Sequence, residues 1–130
     1  MNDCRILIIC CEKMKETVES ADLPDSAVLA LPCLGRIDEA VILRAFRKGA
    51  DAVIIAGCVE GNCKYNSGNY QARRCVNEVR DILTEIGISG ERLEILNLAP
   101  NQAVDLVNLF ENMKEVVMRL GHPDILGAER

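Results

Sequence analysis

The 130-residue sequence has no tryptophan, two tyrosines and two phenylalanines; aromatic residues make up only 3% of it. Small aliphatic side chains must therefore fill its core. A single histidine, His122, stands close to the C-terminus in what reads as a loose tail, and there is neither a GxGxxG motif nor a Ser, His and Asp arrangement. General acid-base chemistry and a dinucleotide fingerprint are both unsupported. Long apolar runs are missing as well: Ala52 to Gly57 is among the longest, far short of the ~20 residues needed to span a bilayer. Met1 to Arg5 begins no secretory signal, and the chain is expected to be cytoplasmic. Nor is there an excess of positive charge. With 20 acidic against 15 basic residues the formal net charge is -5, which offers no field for nucleic acid or an anionic membrane surface. These absences point to a protein partner or a small redox group.

Apolar residues at 49% and charged residues at 27% are in the balance of a soluble globular protein, and the length suits one domain over residues 1–130. What the sequence has in surplus is cysteine, seven in all. A secreted disulfide framework wants an even count, a signal peptide and a chain too small to bury a core, and none of these holds. In a cytosolic setting the surplus reads as metal-binding or redox-active, provided the thiols converge in space.

Periodicity supplies the geometry. Arg5 to Cys11 is a continuous aliphatic run of the kind buried on both faces of a parallel sheet, and Ala27 to Leu31 and Ala52 to Ala56 repeat it. Between them lie a short helical segment, Glu12 to Ser20, with Met14 and Val18 four apart, and a stronger helix from Asp38 that Gly49 is placed to stop. A long helix beyond Asn69 carries Cys75, Val76, Val79, Ile82, Leu83 and Ile86 on one side. Arg92 to Leu98 alternates as an edge strand does, and a last helix places Val104, Val107, Phe110, Met113 and Val117 on one face until Gly121. The order βαβαβαβα predicts an α/β three-layer sandwich with a mainly parallel four-stranded sheet, flavodoxin-like or Rossmann-like.

On that fold Cys10 and Cys11 close the first strand, Cys33 follows the second, Cys58 follows the third, and Cys63 comes five positions later in a loop rich in Gly and Asn. All carboxyl ends of an open parallel sheet share one edge, the edge where such proteins bind ligands. Five thiols are thus predicted on one rim, against the blander reading of small core residues. Cys4 falls at the opposite end of its strand and Cys75 on the packed side of a helix, and both read as structural. Four thiolates suit zinc or an iron-sulfur cluster; the ligands arrive singly rather than as paired CxxC knuckles, which favours the cluster. Gly57, Gly61 and Gly68, with Asn62 and Asn66, could bring backbone and side-chain donors to its sulfurs, or serve ordinary turns.

Several stretches carry a resemblance: FRKGAD, AGC with a second Cys nearby, SGNY followed by Ala and Arg, and Cys33 followed by Gly35 and Arg36. The sequence resembles the family of the methyl-viologen-reducing hydrogenase delta subunit, the small iron-sulfur protein that accompanies heterodisulfide reductase. The likeness runs from the first strand to about Leu98. The family has a second Cys three residues after the first, where this sequence has Met14. The resemblance implies a [2Fe-2S] cluster held by Cys11, Cys33, Cys58 and Cys63, with Cys10 as a spare. It also implies an electron-transfer role in a complex: single electrons would pass between a flavin-containing, heterodisulfide-reductase-like protein and a hydrogenase or other oxidoreductase. Tyr65, Tyr70 and Arg36 are candidate contacts with such a partner. A clusterless docking module and a thiol redox protein using Cys10 with Cys11, or Cys58 with Cys63, are the competing readings.

Overall fold

In the computed structural model, which describes residues 5–21, 23, 26–31, 38–58, 68–98 and 103–121, the first aliphatic run is strand β1, Ile6–Cys11. β1 pairs in parallel on both sides, with β2 (Ser26–Leu31) and with β3 (Ala52–Cys58), and β3 pairs in parallel with β4 (Leu93–Leu98). The sheet order is β2-β1-β3-β4. The two central strands are the most continuously apolar: Ile8, Ile9 and Cys10 of β1 and every residue from Ala52 to Ala56 are fully buried. Such runs are stable only where both faces of a sheet are covered.

The cover comes as two layers. Helix α1 (Lys15–Ser20) packs with α4 (Ala103–Leu120), and α2 (Glu39–Arg47) packs with α3 (Gly68–Glu85). The scarce aromatics are divided between them: Phe46 of α2 and Phe110 of α4 are both buried, one in each helical layer. Aliphatic side chains supply the rest of the core, as the shortage of aromatics requires. Asp38 caps α2 by accepting a hydrogen bond from the Val41 N–H at 3.0 Å, satisfying a donor the helix cannot pair internally. The helix ends where Gly49 takes a φ of 106°, with its N–H bonded to Phe46 O and the Ala50 N–H to Ala45 O. That paired pattern needs a left-handed residue, which glycine adopts without strain.

Three local expectations change. The second strand is not buried on both faces: as an edge strand it leaves Val28 and Leu29 each 39% exposed. Its aliphatic run resembles β1's, but among the described residues only one side of it has a neighbouring strand. In α3 the apolar stripe is Cys75, Val76, Val79 and Leu83, while Ile86 lies beyond the helix end and is exposed. In α4 the stripe begins at Leu106 rather than at the exposed Val104. Arg92 to Leu98 is an edge, as its alternation predicts.

The amino edge of the sheet is tied by charged groups. Asp51 precedes β3 and its carboxylate accepts the Arg5 N–H at 2.9 Å. Arg92 precedes β4, is buried, and donates from one guanidinium nitrogen to Asp51 O at 3.0 Å and from the other to Gly121 O at 2.6 Å. One side chain thus holds the starts of two strands to the end of α4.

Candidate metal centre at the carboxyl edge

From β1 the chain crosses by α1 to β2 on one side, and from β3 it crosses by α3 to β4 on the other. The carboxyl ends of β1 and β3 therefore flank the point where strand order reverses, and a crevice opens there in folds of this type. Both strands end in cysteine. Cys10 is the register partner of Ala56, and Cys58 stands two residues farther along β3. The structure thus brings Cys10, Cys11 and the backbone of Cys58 to one edge on neighbouring strands. Cys33, Cys63, Arg36 and Tyr65, together with Cys4, Gly61, Asn62 and Asn66, lie outside the described residues. Of Tyr70 the structure gives the helical backbone, within α3.

Cys10 and Cys11 face opposite layers. Paired residues in a parallel sheet point the same way and successive residues alternate. Cys11 is paired with Leu31, and Leu31 lines the side beneath α2 together with Val41 and Ala45. Cys10 turns instead toward α1, where Lys15 and Glu19 are its charged neighbours. Burial pushes the Cys10 thiol up to about 11, and Cys11 and Glu19 add to the shift. A thiol held protonated is a poor nucleophile at neutral pH, which counts against redox chemistry based on Cys10. No disulfide joins Cys10, Cys11 or Cys75.

Beyond Cys11 the chain tightens into a 3-10 turn, Glu12–Met14, entered through the extended backbone of Cys11 at φ -80° and ψ 158°. Met14 closes that turn fully buried in the core. Position 14, where the family resemblance leads one to expect a second Cys, is therefore filled by a packed thioether. Cys75 is structural in the way its helical position predicts: it is buried on α3, and burial, with help from Glu39, Glu78 and Asp38, raises its thiol to about 11. Among the described residues no three Cys, His, Asp or Glu side chains gather into a metal-holding group. The donor set available at the edge, thiolates delivered singly from strand ends, fits an iron-sulfur group in its chemistry.

Comparison with known proteins bears on this edge. Residues 6–121 match the family described as methyl-viologen-reducing hydrogenase, delta subunit. The chain belongs to that family. Among its relatives is the vhu iron-sulfur subunit of the F420-non-reducing hydrogenase of Methanocaldococcus jannaschii, 37% identical over 102 residues, which are 78% of this chain and 75% of the relative. The protein of the same name from Methanococcus maripaludis is 39% identical over 93 residues, 72% of this chain and 69% of its own. A different relation holds with a much larger protein, one subunit of the ferredoxin:CoB-CoM heterodisulfide reductase of Methanosarcina mazei. It is 36% identical over 90 residues, 68% of this chain but only 11% of the larger protein. A segment related to the delta-subunit family thus recurs as a small part of a much longer polypeptide. No described helix is long and apolar enough to cross a membrane.

The amino-edge clasp is what sequence reasoning missed. The sequence shows only that Asp51 and Arg92 each stand immediately before a strand; the register then sets Arg92 level with Ala52, one residue past Asp51.

Proposed function

We propose that this delta-subunit homologue is an iron-sulfur electron-transfer protein that works within a complex. It relays single electrons between a flavin-containing partner of the heterodisulfide-reductase type and a second oxidoreductase such as a hydrogenase. The observation that carries this reading is the pair of central parallel strands, β1 and β3, that both end in cysteine where strand order reverses. Connectivity supplies the remaining thiols: Cys33 is two residues past Leu31, and Cys63 is five past Cys58. Cys11, Cys33, Cys58 and Cys63 would hold a [2Fe-2S] cluster, with Cys10 as the spare. A cluster of this kind supplies a one-electron carrier of tunable potential. The chain's part is to hold it at a sheet edge that a partner can approach. The names of the relatives support an iron-sulfur role, and the segment shared with the larger heterodisulfide reductase protein supports a partner of that class.

The test is anaerobic purification from the native organism with iron and zinc analysis, visible and EPR spectra, and identification of co-purifying proteins. Cys58→Ser and Cys63→Ser are expected to lose the centre, because a hydroxyl is a poor substitute for a thiolate. Cys75→Ser should keep the spectrum unchanged. Equal iron content and equal EPR signals in both classes would overturn the ligand assignment. Met14 favours one second reading, a docking module without a cluster, and iron-free protein in an intact complex would establish it.

A further inference from the structure

The helical layer formed by α2 and α3 stops short of the edge of the sheet. α2 packs over β3 and against α3, and α3 packs over β3 and β4. At the opposite edge, β2 and the adjoining part of β1 are left with an open groove of about 570 Å³ beside α2. Its floor is apolar, with Leu7 of β1 and Leu29 of β2 turned into it. Its wall is the near flank of α2, where Val41, Arg44, Ala45 and Lys48 recur at three- and four-residue spacing and so form a single stripe. Val41 and Ala45 lie low against the sheet, and the exposed Arg44 and Lys48 make a cationic rim, with Arg5 at one end.

We propose that an acidic amphipathic helix of a partner protein lies in this groove beside α2, extending the helical layer over β2. The shape argues for a helix. Two adjacent strands span about 10 Å, which matches the width of one helix with its side chains, and a helix laid beside α2 repeats the way α2 and α3 already share the sheet. The charge argues for an acidic one. A chain of net charge -5 that concentrates positive groups along one apolar groove attracts a negative partner there and repels a basic one. The same rim argues against a second copy of this chain, since a two-fold contact groove to groove would bring two cationic rims together. An exposed Leu29 on a strand with no outer neighbour among the described residues is the apolar anchor such a helix would cover.

This inference rests on the proposed working of the chain in a complex, and its test separates the two. Leu29 is replaced by a photoreactive benzophenone-bearing residue, with the same replacement at exposed Val104 of α4 as the control. The complex is assembled in the native organism, irradiated, and cross-linked peptides are identified by mass spectrometry. The expected product joins position 29 to one segment of another protein of the complex that has apolar residues three and four apart and acidic residues along their flank. Double charge reversal, Arg44→Glu with Lys48→Glu, should weaken the complex at least tenfold while melting temperature and iron content stay at wild-type values. A cross-link from position 29 to this chain itself, to a basic segment, or no more cross-linking than at position 104 would overturn the groove, as would unchanged affinity in the charge-reversed variant. A wild-type chain that carries no partner would overturn the complex and the groove together.

Discussion

Arg92→Met isolates the clasp at the amino edge. Arg92 is only 4% exposed, and its guanidinium donates to Asp51 O at 3.0 Å and to Gly121 O at 2.6 Å. Methionine fills much of the same volume with no donor, so two carbonyls lose their partners. Hydrogen bonds from a charged donor contribute about 1.5–3 kcal/mol each. Water can reach the Gly121 carbonyl, at an exposed residue, more easily than Asp51 O, so we expect a net loss of about 3 kcal/mol. Domains of this size are stable by ~5–15 kcal/mol, and a loss of that size lowers the melting temperature by roughly 10 °C. Arg92→Lys should recover about half, because an ammonium cannot span two acceptors as the guanidinium fork does. The assay is urea unfolding with melting curves on the same samples, and iron content as the control. Iron should be unchanged, since the clasp lies at the opposite end of the strands from the cysteines. An Arg92→Met protein within about 1 kcal/mol of wild type, far below the sum for two charge-assisted bonds, would refute the clasp.

Cys10→Ser should retain iron but unfold more easily, by about 1–3 kcal/mol, because it leaves a hydroxyl without a partner in a fully buried site; Cys11→Ser should lose the iron. The reverse pattern in iron analysis would exchange the two assignments. Glu39 shares a hydrogen bond with Glu78, which holds its carboxyl above the usual range. Its folded value exceeds its unfolded one, so its contribution is fully present below the unfolded value and is lost as pH rises through the folded one. Glu78→Gln removes the repulsion, and its melting temperature should exceed wild type at neutral pH by a margin that shrinks toward the carboxylate range; a margin that does not change with pH would contradict this. Phe46→Ala, which empties a fully buried site in the α2 layer, should cost about 3–5 kcal/mol, measured by urea unfolding.

Much of this molecule is determined by short-range pattern in the sequence. Continuous aliphatic runs such as Ile6 to Cys11 and Ala52 to Ala56 are stable only as strands covered on both faces, so a parallel sheet between helical layers follows from local residues alone. The stop of α2 at Gly49 and the structural place of Cys75 follow as well, because glycine conformation and helical spacing are properties of a few neighbouring residues. The placing of Cys10, Cys11 and Cys58 at one edge was legible for the same reason, since every carboxyl end of a parallel sheet lies on the same side. Strand order was not. Nothing in Ala27 to Leu31 distinguishes a central strand from an edge, and only the pairing of β2 with β1 alone exposes Leu29 and opens the groove beside α2. Alternation along β1 already sets Cys10 and Cys11 on opposite faces, but which helical layer each one meets depends on which helix crosses which face. So does the clasp of Arg92 on Asp51 and Gly121, whose partners are 41 and 29 residues away. Periodicity is set by neighbours along the chain, whereas order, facing and long-range pairing are set by the packing of the whole sheet against its helices, and only the tertiary structure decides them.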